Sequence, residues 1–176
     1  MPTFISGLPL HVLVVHAVVV LVPLAVLGTV VVTLWPAARR RYGWLVVAVA
    51  AIATATIPVA TSAGEGLEHR LPATALISAH THLGDELLVW VAAMLVLLTA
   101  FVALHQRNTH LARREGPGTM TATPNLTGPL RIASGVLAAL ALVFAVVSAV
   151  QVYRIGDSGA RAAWADTQYV TPAHRG

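Results

Sequence analysis

From Leu10 to Trp35 the chain reads "LHVLVVHAVVVLVPLAVLGTVVVTLW", without a single Lys, Arg, Asp or Glu. Such a run has few ways to fold. At 1.5 Å per residue, about 20 helical residues cross the ~30 Å hydrocarbon core of a bilayer. Inside that core every backbone N–H and C=O must find its partner within the protein, which leaves helices or closed barrels. Barrel strands alternate polar and apolar residues, and this run does not. It reads as a membrane helix.

Three later segments pass the same test, so the expected spans are about 10–35, 44–63, 85–105 and 129–153, with an earlier start left open for the third. The fold class expected is all-α: an integral membrane four-helix bundle forming one domain over residues 1–176. Composition agrees, since 57% of the 176 residues are hydrophobic and 10% charged. A soluble domain of this size cannot hide so much apolar surface. Pro23 inside the first span removes one backbone hydrogen bond, and a kink is expected there.

All eleven basic residues are arginine. Arg39, Arg40 and Arg41 are expected to fill the first loop, and Arg107, Arg113, Arg114 and Arg131 lie in or beside the third. The other side holds Arg70, Arg154, Arg161 and Arg175. This bias puts loops one and three in the cytoplasm and both termini outside. The first ten residues hold no basic n-region, so the first span reads as retained, not cleaved. Residues 106–128, rich in Gly, Pro, Thr and Asn, read as a mobile cytoplasmic loop, and 156–176 as a polar outer tail. Asn125 opens a glycosylation pattern but lies on the cytoplasmic side and is discounted. The arginines gather at span ends, not on one basic face with readout groups, so nucleic acid is not an expected partner. Expected partners are the lipid bilayer, further membrane or redox subunits, and second copies of the chain.

With this topology the polar residues separate by side. Six of the seven acids (Glu65, Glu68, Asp85, Glu86, Asp157 and Asp166) fall at the outer end, as do His11, His16, His69, His80, His82 and His174. His105, His110 and Glu115 belong to the inner side. If Pro72 opens the third helix, then Leu76, His80, Leu83, Gly84, Leu87 and Val91 share one face, with His80 pointing into the bundle and His82 elsewhere. His11 and His16 are five apart, ~140° around an ideal helix. They meet at one point only if His11 sits in an irregular lead-in, for which Gly7 and Pro9 provide the means. Arg154 and Asp157 are an expected ion pair, and the Trp and Tyr residues mostly mark span ends as interface anchors.

The stretches "PLHVLVVHAVVVLVPL", "SAGEGLEHRL", "AHTHLGDELLVW" and "VYRIGDSGARAAW", in that order, resemble a family of bacterial membrane proteins catalogued as domain of unknown function 2231. The His-x4-His pair maps to His11 and His16, the Gly-Glu step to Gly64 and Glu65, the His-x3-Gly-acid step to His80, Gly84 and Asp85, and the Arg-x-Gly step to Arg154 and Gly156. Val12 and Val18 stand where the family usually carries proline. The resemblance implies a multi-pass protein of the bacterial plasma membrane. Members joined to Rieske-type redox domains hint at redox chemistry.

Three functions follow from these residues. The first is a transition-metal ion (zinc, copper or iron) held at the outer face by His11, His16, Glu65 and His80, with Gly64, Gly84, Asp85 and Arg154 supporting it. Imidazole and carboxylate without thiolate suit those ions, and the chain has no cysteine. The second is a b-type haem ligated by His16 and His80, which would make the protein an electron carrier. The third is a cofactor-free structural or accessory subunit, its polar groups hydrogen-bonded across helices. No phosphate loop, nucleophile elbow or zinc-protease helix is present, and no reaction is assigned. A proton relay is disfavoured because the ionisable groups gather at one end instead of crossing the midplane.

Overall fold

The computed structural model describes residues 4–5, 8–69, 74–114 and 128–164. Four long helices dominate: α1 (Leu10–Leu34), α2 (Pro36–Glu68), α3 (Ala75–Arg114) and α4 (Gly128–Trp164). A two-residue hairpin precedes them, with β1 (Phe4–Ile5) antiparallel to β2 (Leu8–Pro9). All four helices are long and apolar enough to cross a membrane.

The helices outrun the expected spans, and each extension has a local cause. Trp35 alone separates α1 from α2, in an extended conformation that the following proline favours. Pro36 then opens α2 in its first turn, where a missing N–H costs nothing. The three arginines expected in the first loop are therefore helical, because "PAARRR" combines an N-terminal proline with good helix formers. Thr74 caps α3, its Oγ1 accepting from Ile77 N at 3.3 Å. Pro72 and residues 115–127 lie outside the described residues, and α3 carries on to Arg114 through what was expected to be loop. Beyond the fourth span, α4 continues for three further turns to Trp164. Asp157 pairs there with Arg161 one turn on, at 3.0 Å, and not with Arg154. The expected outer tail is thus helical as far as Trp164, and residues 165–176 lie outside the described part.

Successive helices run antiparallel, so the start of α1 and the end of α4 share one end of the bundle. Contacts at both ends show it: His11 of α1 reaches Ala60 near the end of α2, and His80 of α3 reaches Ser158 near the end of α4. At the opposite end Trp44 of α2 donates Nε1–H to Gln106 Oε1 of α3. The core runs between them through Val22, Ala25, Ala53, Ile57, Val91, Met94, Leu98 and Phe101.

Small residues set the helix spacing. Ala50, Ala53, Ala60 and Ala63 line the buried face of α2, and Ala141, Ala145 and Ser148 that of α4. Lipid is as apolar as these side chains, so close van der Waals approach, not water exclusion, holds the helices together. The outward faces are Val, Leu and Ile: Val20, Leu27, Val89, Val96 and Val146 are all exposed, as lipid contact requires.

Candidate functional site

The two histidines of α1 part company. The helix begins at Leu10, so His11 already sits in its first regular turn. The five-residue step then separates the rings by ~140°. His11 turns inward and gives its Nδ1–H to Ala60 O at 3.0 Å. His16 is exposed, its Nδ1 set 2.5 Å from Val12 O of its own helix. The irregular lead-in that would have brought the two rings together ends before His11.

His80 is half-buried on the face that its spacing predicts, with Leu87 and Val91 of that face in the core. Its Nδ1 lies 3.0 Å from Ser158 Oγ. Ser158 donates its own proton to Ile155 O, also at 3.0 Å, so its oxygen accepts from the imidazole. At His11 the partner is a carbonyl, which accepts only. Both rings therefore donate through Nδ1, and a neutral ring so placed has its lone pair on Nε2. No described residue hydrogen-bonds either Nε2.

Glycines make this seating possible. A Cβ at Gly64 would stand 3.1 Å from His11 Cε1 and Nδ1, and one at Gly159 would stand 3.0 Å from His80 Cε1. Each ring packs on bare backbone of the next helix. Gly84 has a different neighbour: a Cβ there would meet only Thr61 Cγ2, at 3.9 Å.

The other expected participants lie outside this pair. Glu65, Asp85 and Arg154 are exposed. His82 faces out, as its position two residues from His80 predicts, and sits 3.5 Å from Glu86 one turn on. Among the described residues no three His, Asp or Glu side chains are grouped so as to hold a metal ion. Of the described histidines at this end, His11 and His80 turn inward.

Three residues near this end carry contacts that the sequence reading did not single out. Ser158 and Gly159 hold His80, and the one available signal was the small Ser-Gly step in "RIGDSGARA". Gln151 is buried in α4 and donates to Leu83 O at 3.2 Å and Glu86 Oε2 at 3.0 Å. A glutamine amid "AVVSAVQVY" is itself a sign of interhelical bonding, because an unpaired amide in lipid is costly.

No curated protein and no solved structure matches the chain. The family model described as "Predicted membrane protein (DUF2231)" matches residues 7–172, a stretch that takes in all four helices and both inward histidines. The chain belongs to that family of membrane proteins.

Proposed function

We propose that this membrane protein holds a transition-metal centre at the end of the bundle where α1 starts and α4 finishes, with His11 and His80 as its protein ligands. One observation carries the reading. Both rings spend Nδ1–H on a protein oxygen and no described residue bonds their Nε2, which is how metal-ligating histidines are ordinarily oriented. The partners, a backbone carbonyl and a serine hydroxyl, raise the basicity of the ring and stop it rotating. Without cysteine the donor set is imidazole, with carboxylate available from Glu65 nearby in sequence to Gly64, and it suits zinc, copper or iron.

A second reading, a b-type haem, gains from the number of inward donors. Haem iron takes four nitrogens from the macrocycle and needs two from the protein, and facing helices of a bundle supply such pairs. Here the pair is His11 and His80 in place of His16 and His80, because His16 faces away.

The test separates ligation from helix locking. Asparagine reproduces the Nδ1–H of histidine but has nothing at the Nε2 position. Full-length protein purified in detergent is expected to contain a transition metal at stoichiometric level by elemental analysis, with a Soret band if the centre is haem. His11→Asn and His80→Asn are each expected to lose it while keeping the helical circular dichroism and thermal transition. Wild-type protein that holds no metal and takes none up on reconstitution would refute the proposal. The two histidines would then be the cross-helix bonds of a structural or accessory subunit.

A further inference from the structure

At the other end of the bundle, where α1 turns into α2, a cavity of about 270 Å³ opens between α2 and α3. Its walls include Arg39, Arg40 and Trp44 from the first turns of α2, and His105, Gln106 and Thr109 from α3. None of the described lining residues is acidic. Buried polar groups normally find partners, yet Arg39 Nε and His105 Nε2 are buried here with no partner among the described residues.

The Arg39 side chain is held in place. Its guanidinium lies 4.7 Å over the Phe101 ring, and Nη1 donates to Thr33 O at 3.4 Å. Neither contact involves Nε. Gln106 is held as well: Trp44 can only donate, so Oε1 of Gln106 must accept, and its NH2 group is the end left over. By contrast Arg41 lies 5.6 Å over its neighbour Tyr42. Two arginines, an imidazole and an amide therefore face one small space with no described anion to balance them.

We infer that this cavity binds a phosphate group, carried on a lipid headgroup or on a small soluble ester. Tetrahedral oxyanions match convergent N–H donors, and arginine is the side chain suited to phosphate. Exposed Trp35, Tyr42 and Trp44 mark this end as headgroup level, where basic pockets between membrane helices meet anionic lipid. The volume lies just under the roughly 300–1,000 Å³ of sites for drug-sized ligands, the scale of a headgroup. This inference is independent of the histidine pair and concerns the opposite end of the molecule.

The experiment measures thermal stabilisation of the full-length protein in neutral detergent. Three probes are titrated: short-chain phosphatidic acid, inorganic phosphate, and short-chain phosphatidylcholine as the zwitterionic control. The expected result is a saturable upward shift in Tm with phosphatidic acid, with inorganic phosphate, or with both, and none with phosphatidylcholine. Phosphatidic acid acting alone identifies a lipid; inorganic phosphate acting as well identifies a site for soluble esters. Arg39→Gln is expected to weaken binding about tenfold or more, as loss of a charge-assisted hydrogen bond does. Because Arg39 also anchors to Thr33 and Phe101, His105→Leu serves as a second variant that leaves those contacts alone, again with about tenfold weakening. Arg131→Gln, an exposed arginine at the same end, is expected to change little. No saturable shift with either phosphate probe, or equal weakening by Arg131→Gln, would overturn the inference.

Discussion

At Gly159 a Cβ would come within 3.0 Å of the His80 ring, and at Gly28 within 2.8 Å of Val46 Cγ1. The two contacts have different consequences. Gly159→Ala would push the imidazole off Ser158, the residue that sets its tautomer. The proposed metal centre predicts loss of most metal from this variant, read by elemental analysis, with a destabilisation of about 1 kcal/mol. Gly28 packs directly on Val46 of α2, whose side chain is branched at Cβ and stiff. Gly28→Ala is expected to lower stability by about 1–3 kcal/mol despite alanine's better helix propensity. Metal content should stay unchanged. A thermal melt paired with metal analysis on both variants distinguishes a spacing glycine from a seating glycine.

Between elements, the join of α3 with α4 carries the polar bonding that lipid makes valuable. Gln151 ties the α4 backbone region to Leu83 O and Glu86, and Glu86 in turn faces His82. The His82–Glu86 contact is exposed and worth little, whereas Gln151 is buried and its amide has no alternative partner in lipid. A double-mutant cycle of Glu86→Ala with Gln151→Ala, followed by unfolding in mixed micelles, is expected to give a coupling energy of roughly 0.6–1.7 kcal/mol. A value indistinguishable from zero would mean that Gln151 acts through Leu83 O alone. The same seam explains why α4 outlasts the hydrophobic span: its polar last turns have His80 to pack against, and Asp157–Arg161 supports them along the helix.

For the whole molecule, the antiparallel order of four helices places the start of the first and the end of the last together, and the arginine bias predicts that this end faces away from the cytoplasm. The absence of cysteine makes a direct check simple. Single replacements Ala163→Cys, exposed near the end of α4, and Arg40→Cys, exposed near the start of α2, can be probed in intact cells with a membrane-impermeant maleimide. Labelling is expected at position 163 and not at 40, with both labelled after permeabilisation. The reverse pattern would invert the protein and move the histidine pair to the cytoplasmic face.

Charge-free apolar runs determined by themselves that this chain makes four helices, because lipid offers the backbone no other partners. They also placed His80 inward and His82 outward, since α3 is regular and helical geometry alone decides which face a residue takes. The ends of the helices were not legible: Arg39 to Arg41, the last turns of α3 and the stretch from Arg154 to Trp164 are polar, and polarity marks where the hydrocarbon stops, not where the helix does. Nor was the make-up of the inward pair. Whether His11 and His16 face one point depends on the residue at which α1 becomes regular, a matter of one turn that a repeat of valines leaves open. Only the tertiary structure chose His11 over His16, seated each ring on a glycine of the next helix, and brought Arg39 across to His105. Those are contacts between segments far apart in the chain, and local pattern carries no information about them.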